Sequence, residues 1–249
     1  MPVFGGLAVE TIAARLPRVA SLDAAAWTLP GAEILQLAFE VAEGTRGLLP
    51  RAMHPAIPPY ATWLVTRYPE SPVGPFALAQ LRLMGRAGAH PRGFVLAAVA
   101  STPEAARALA DGWGLPVAPG TVTLRRYHDR ITALVTRDGE PILDAALVDP
   151  EPISPGDVQY IHSVTLASVA EAGRDAPALI QVDAHYTLHR AERGRPSIAR
   201  FVAQAWNADH LAPRHPIAAS FTTVDTDLPQ IRFLMDPEIP VIRGTRRIR

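Results

Sequence analysis

Proline and glycine interrupt this chain every few residues, with 25 prolines and 17 glycines in 249 positions. Proline breaks a helix interior by removing a donor and clashing with the preceding turn. Clustered Pro and Gly mark turns between short elements. Long helices are therefore scarce and many short strands are expected. The segment YATWLVTRY, residues 60–68, has the aromatic and β-branched residues suited to a strand. Residues 33–41, 76–84, 94–100, 121–127, 131–137, 142–148, 158–167, 179–188, 217–224 and 230–235 read as further strands. Asp138-Gly139 is a hairpin turn signal. Pro30-Gly31 reads as a break, and residues 48–59, 69–75 and 149–157 read as loops or turns.

Three short helices are expected. The clearest opens at Thr102, a good N-cap, with Pro103 at the first helical position and Gly112 at its end. Residues 9–16 and 197–205 read as the other two. The pattern is that of a mainly β, α+β chain, arranged as a barrel or a pair of packed sheets. Its length suits one domain over residues 1–249, with residues 1–30 as an N-terminal extension.

Composition excludes several classes of function. Hydrophobic residues make up 48% and charged residues 19%, which permits a large core and rules out a disordered chain. Lys+Arg and Asp+Glu are both 24, so no net field favours nucleic acid or an anionic membrane. The basic tail of Arg243, Arg246, Arg247 and Arg249 reads as a solvated terminus. No cysteine is present, which removes disulfides, thiolate catalysis and Cys-bound metal, and fits a cytoplasmic setting. No signal peptide or membrane span is expected from the first residues MPVFGGLAVE. All 24 basic residues are arginine. Arginine stays protonated in proteins, so the chain lacks the side-chain amine from which a Schiff base is built.

Three motifs occur in a meaningful order. Ser71-Pro72-Val73-Gly74-Pro75-Phe76 forms a turn before a strand. Gly112-Trp113-Gly114-Leu115-Pro116 closes a helix. Residues 225–244 carry Leu228-Pro229, Asp236-Pro237 and Ile239-Pro240. In order and spacing these resemble the acetoacetate decarboxylase superfamily, over residues 33–245. The resemblance implies a β-barrel fold, a cavity around the segment from Gly112 to Pro119, and a homo-oligomer. It also implies a Schiff-base lysine just after Leu115-Pro116, where this chain has Val117 and Ala118. The family glutamate after the glycine turn falls on Leu78, and a second carboxylate falls near Trp63.

Strand periodicity extends the candidate site. If Leu78 faces the cavity, so do Phe76, Gln80 and Arg82, because alternate residues share a face. If Trp63 faces it, so do Val65 and Arg67. Gln80, Arg82 and Arg67 are the candidate catalytic groups. Tyr60, Trp63, Phe76, Leu78, Trp113, Leu115 and Val117 are the candidate substrate-binding residues. The plain alternative is that all of these are core and barrel-end residues.

Other constellations carry less. Asp183, His185 and His189 share a strand face, but His185 and His189 would stand ~13 Å apart, too far for one metal ion. Arg125-Arg126-Tyr127-His128-Asp129 reads as a solvated hairpin. No Gly-x-Ser-x-Gly elbow or glycine-rich phosphate loop appears. No metal or cofactor is expected, and the partner is a small molecule. Two classes of function remain. One is an enzyme that acts on a carbonyl-rich or polyketide-like molecule without a Schiff base, by cyclisation, dehydration, isomerisation or non-covalent decarboxylation. The other is a non-catalytic small-molecule binder. The absence of lysine gives a direct test: borohydride reduction in the presence of acetoacetate should leave no side-chain adduct in the intact-mass spectrum. An internal adduct away from the α-amino group would refute an imine-free site.

Overall fold

The structure is a computed structural model that describes residues 3–171 and 174–248. Arg249, the last residue of the basic tail, lies outside the described residues. The chain opens with helix α1 (Val9–Ile12), continued by a 3-10 turn, and then strands β1 (Arg18–Val19) and β2 (Trp27–Val41). Strands β3 (His54–Pro55), β4 (Tyr60–Tyr68), β5 (Phe76–Ala87) and β6 (His90–Ala100) follow, and then helix α2 (Pro103–Trp113). Next come β7 (Val117–Pro119), β8 (Thr121–Arg126), β9 (Arg130–Arg137), β10 (Glu140–Ile153), β11 (Ser163–Glu171) and β12 (Arg174–Val182). The chain ends with β13 (His185–Phe201), β14 (Pro213–Leu228), β15 (Phe233–Met235), helix α3 (Val241–Gly244) and β16 (Thr245–Arg247).

All of these strands join one sheet, in the order β16-β15-β12-β11-β6-β5-β4-β2-β14-β13-β10-β9-β8, with β1, β3 and β7 paired at its sides. The class is mainly β with a few short helices, as the sequence indicates. The sheet rolls up rather than closing by hydrogen bonds: β8, at one end of the order, packs back over β4, β5 and β6. The inside of the roll is one core, containing Leu35, Leu37, Trp63, Leu81, Ile131, Val135, Leu143 and Trp206. The other face of β2, β4, β5 and β6 is covered by α2, β11 and β12, which bury a second core around Leu29, Phe76, Leu78, Leu109, Trp113 and Ile180. Truncating a fully buried tryptophan such as Trp63 in a core of this kind costs about 3–5 kcal/mol.

Local chemistry explains most boundaries. The Thr102 hydroxyl accepts from the Ala105 amide at 3.2 Å, and Pro103 occupies the first turn of α2. The helix runs through Gly112 and stops at Gly114, whose φ of 61° is left-handed. A Cβ there would sit 2.5 Å from that of Ala167, so only glycine lets α2 meet β11 so closely. Asp138 and Gly139 both have positive φ, as a two-residue hairpin requires.

Several expected boundaries move. Pro30-Gly31 does not interrupt β2; it is an irregularity within the strand, where the Gly31 amide donates to Asp225 Oδ1 at 2.8 Å. Residues 18–30, read as an extension, supply β1 and the start of β2, which pairs with β14. Residues 197–205 are not a helix. Ile198 and Phe201 pair with β10, so tertiary pairing overrides the local pattern, and only a 3-10 turn at Ala203–Trp206 follows. Residues 179–188 are two strands, broken at Asp183-Ala184, and the strand read from 158 begins at Ser163. The basic tail is ordered where described, since Arg246 and Arg247 pair with β15.

One buried carboxylate ties the roll together. Glu192 on β13 is 1% exposed and receives Arg126 Nε at 3.1 Å and Nη2 at 2.7 Å from β8, with Arg190 Nη2 at 2.8 Å. It thus links two strands that are not neighbours in the sheet. The Arg126 hydrogen bond, foremost, holds the Glu192 carboxyl below its ordinary pKa. For a depressed carboxylate, the stability is fully present above the ordinary value and is lost as pH falls through the lowered one. Replacing Glu192 by Gln should cost about 2 kcal/mol in urea unfolding at pH 7, and should flatten the acid limb of the stability profile. A variant with unchanged stability and an unchanged acid limb would show that the clamp contributes nothing.

Candidate functional site

The site is built on the α2-covered face of the β4–β5 hairpin. Tyr68 pairs with Phe76 across the turn, and the same register places Thr66 opposite Leu78, Leu64 opposite Gln80 and Thr62 opposite Arg82. Phe76, Leu78, Gln80 and Arg82 share one face and line a small chamber of about 40 Å³. Leu29 and Leu228 close one side, and Leu109, Trp113 and Leu115 close another. The Trp113 indole is satisfied away from the chamber, donating to Pro229 O at 2.8 Å. By the usual measure such a space holds a few waters or one small polar head.

Among the described residues Arg82 is the only charged one in the chamber wall, and it is 6% exposed. Its Nε donates to Gln80 Oε1 at 2.9 Å and its Nη1 to Ile161 O at 3.2 Å. Among the described residues no carboxylate lies within ion-pair distance of it. Gly93 on β6 lets the side chain lie flat, since a Cβ there would come within 3.1 Å of Arg82 Cδ. Because Gln80 spends its carbonyl on Arg82, its amide N–H groups are left for a ligand oxygen. Tyr68, Ser163 and Thr226 complete the polar lining, and Thr226 Oγ1 is buried without a partner among the described residues. Burial, first of all, raises the Tyr68 pKa, so the phenol remains a neutral donor.

Beside the chamber lies a vestibule of about 380 Å³, with which it shares Ala184 and Tyr186 as lining residues. Tyr160, His162, His185, Arg92 and Leu188 also line it. The Tyr160 and Tyr186 rings stand 4.9 Å apart, and the Tyr160 hydroxyl is fixed to Thr222 Oγ1 at 2.6 Å. His162 is held through its backbone, its carbonyl accepting from Gly93 N at 3.0 Å. Desolvation, followed by the charges of Arg92, His185 and Arg82, lowers its pKa against the opposing pull of Asp183. Arg92, though buried, is paired: its Nη2 lies 3.1 Å from Asp183 Oδ1.

The remaining residues named from sequence fall elsewhere. Trp63 faces the inside of the roll, between Phe39 and Phe201, because it is paired with Leu81 rather than with a chamber residue. Arg67 has the same parity and is exposed, donating to Glu33 Oε2 at 2.9 Å. Adjacent strand positions alternate in facing, so Trp63 and Arg67 stand on the opposite face of β4 from the residues paired with the chamber wall. Tyr60 lies at the far end of β4, two residues past Thr62, and does not line the chamber. Val117 shares a row with Ala98 and Gln80 but is two strands from β5, about 10 Å away. It packs on the second core without reaching the chamber wall. The metal candidates are split up. Asp183 meets Arg92, His189 meets Asp225 at 2.9 Å, and His185 lines the vestibule. Among the described residues no group of three ligating side chains comes together.

Tyr68, Ser163, Tyr186, Thr226 and His162 were missed. Tyr68 had a signal, since a hairpin that places Phe76 in the cavity places its partner there too. The others come from distant strands. A further cavity of about 430 Å³ lies under the N-terminal segment, between Leu7, Ile12, Leu16, Phe94 and Leu96. Its polar lining of Arg15, Gln204, Asn207 and Asp209 is exposed, so no buried polar group converges on it. Among the described residues no helix is long and apolar enough to cross a membrane.

Comparison with known proteins places this geometry in a family. The fold matches the crystal structure of acetoacetate decarboxylase from Legionella pneumophila with a TM-score of 0.75 and 16% identity, over 84% of this chain and 86% of that one. It matches the enduracididine biosynthesis enzyme MppR, complexed with pyruvate, with a TM-score of 0.67 and 14% identity, over 83% and 88%. An acetoacetate decarboxylase-like enzyme from Sphingomonas wittichii RW1 matches at 0.66 and 16%, over 85% and 94%. No curated protein sequence matches significantly. The sequence model of acetoacetate decarboxylase covers residues 16–237, and the chain belongs to the acetoacetate decarboxylase family.

Proposed function

We propose that this chain is an enzyme that binds a small carboxylate-bearing carbonyl compound at Arg82 and promotes its enolisation without a Schiff base. The observation that carries this reading is the buried guanidinium of Arg82 with no carboxylate partner among the described residues. An isolated buried charge costs several kcal/mol, so such a group is normally matched by an anion. The chamber has room for a carboxylate and little more. MppR, complexed with pyruvate, offers a ligand of this chemistry on the same fold.

The residues divide the work as follows. Arg82 neutralises the carboxylate and the charge that develops on the adjacent oxygen. The Gln80 amide and the neutral Tyr68 phenol donate to that oxygen. His162, which lines the vestibule next in sequence to Ile161, whose carbonyl holds Arg82, takes the proton from the carbon next to the carbonyl. Leu78, Leu115 and Trp113 exclude water and raise the effect of each dipole. Cyclisation, dehydration, isomerisation and non-covalent decarboxylation all pass through such an enolate-like state. Leu78 and Val117, at the positions of the family's charged groups, support a route that uses no amine.

Pyruvate serves as the probe. Replacing Arg82 by Met should weaken pyruvate binding by more than tenfold, about 1.4 kcal/mol, with the thermal midpoint unchanged or raised, since an unmatched charge leaves the interior. A lowered midpoint with intact binding would make Arg82 a structural residue and remove the basis of the reading. Proton exchange at the pyruvate methyl in D2O, followed by NMR, tests the chemistry. Because the pKa of His162 is held below the ordinary imidazole value, exchange should stay level as pH falls to about 6.5 and decline only below it. Replacing His162 by Ala should abolish it. Binding without any catalysed exchange would establish the non-catalytic alternative.

A further inference from the structure

Two adjoining spaces of very different size and chemistry, sharing Ala184 and Tyr186 in their walls, make up the site. The inner one is about 40 Å³ and has one unmatched cation. The outer one is about 380 Å³, a size that holds the body of a typical small ligand. Charge in the outer space is already balanced. Arg92 is engaged by Asp183, and His162 has its pKa lowered, first by desolvation. Among the described residues the one arginine of this lining already faces a carboxylate. What the outer space does offer is ring faces. Tyr160 and Tyr186 form a tilted pair with centroids 4.9 Å apart, and His162 and His185 stand 6.5 Å apart, nearly edge to face. The Tyr160 hydroxyl is tied to Thr222, and Ile161 and His162 are tied through their carbonyls to Arg82 and Gly93, so these rings form a preset wall. Aromatic groups pack with such faces at the same centroid distances, gaining about 0.5–1.5 kcal/mol beyond area burial.

We infer that the ligand has two parts: one small anionic head for Arg82, and a neutral, planar, conjugated body lying in the vestibule against Tyr186 and the two imidazoles. This rests on the assignment of Arg82 as the anion site and extends it to the substrate class. Unsaturated or aryl-substituted acids fit this description. Diacids do not, because Arg92, the one arginine of the described vestibule lining, already faces Asp183. Nor do saturated chains, which bury area on the ring faces without the added gain of a ring–ring contact. Tyr186 belongs to both spaces and so stands where head and body join.

Four probes and three variants test this by calorimetry or competition against pyruvate. The probes are trans-cinnamate, 3-cyclohexylpropanoate, cinnamyl alcohol and pyruvate. The variants are R82M, Y186L and Y186F. Cinnamate should bind at least tenfold more tightly than 3-cyclohexylpropanoate and than cinnamyl alcohol. Y186L should remove the preference for cinnamate over the saturated acid. Y186F, which keeps the ring, should preserve the preference and guards against a folding defect in Y186L. Equal affinity for the two acids, both lost in R82M, would overturn the two-part ligand and leave the Arg82 assignment standing. Pyruvate and cinnamate binding unaffected by R82M would overturn the Arg82 assignment itself. Cinnamyl alcohol binding as tightly as cinnamate would likewise show that no anionic head is read.

Discussion

The pairing of Tyr68 with Phe76 is the constraint on which the site depends. Once that pair is set across the turn at residues 69–75, every later pair of the hairpin follows, down to Thr62 opposite Arg82. One face then carries Phe76, Leu78, Gln80 and Arg82 toward α2, and the other carries Ala79, Leu81 and Trp63 into the roll. A shift of β5 by one residue against β4 would turn Arg82 into the aliphatic core. The apolar demand of the roll interior therefore fixes where the cation goes. Packing on one side of the sheet thus settles the chemistry on the other.

Much of this was legible along the chain and less of it across the chain. Proline and glycine spacing indicated a strand-rich chain but understated strand length, since β2, β10, β13 and β14 run on through prolines, and Thr102 and Pro103 open α2 as expected while its end lies at Gly114 rather than Gly112. Alternation within β5 correctly put Phe76, Leu78, Gln80 and Arg82 on one face, because that property needs only the one strand. Placing Trp63 and Arg67 required the register between two strands, and that register pairs them with Leu81 and Ala77 rather than with the chamber wall. Tyr186, Ser163 and Thr226 reach the chamber from β13, β11 and β14, which meet it only through the topology of the whole sheet. The break at Asp183-Ala184 was invisible because no glycine or proline marks it. Even so, it is where the chain leaves β12 and starts β13 in another part of the sheet.

Electrostatics separates the structural charges from the one with a different purpose. Glu192 has two arginines, Arg67 has Glu33 and Arg92 has Asp183. Each is what a folded protein needs when it buries or half-buries a charge. Arg82 breaks the pattern, with an amide oxygen and a carbonyl but no anion. Neutral acceptors satisfy its geometry without cancelling its charge. Local rules that fail at one place and hold elsewhere point to function.

The position of that exception also has a structural cause. Arg82 lies beside an irregular part of the sheet, where β5 and β6 shift register at Leu81/Arg82 and β6 meets β11 in parallel over only two residue pairs. Regular ladders use up their own backbone groups, so a fully regular sheet has no spare carbonyl to offer a guanidinium. Here the segment before β11 is outside any ladder. Its Ile161 carbonyl is free to accept from Arg82, and its His162 carbonyl anchors Gly93, whose missing side chain leaves the space Arg82 occupies. The irregularity thus supplies the acceptor, and glycine the room. Together they hold an unpaired cation rigidly in place, as a preorganised anion site requires.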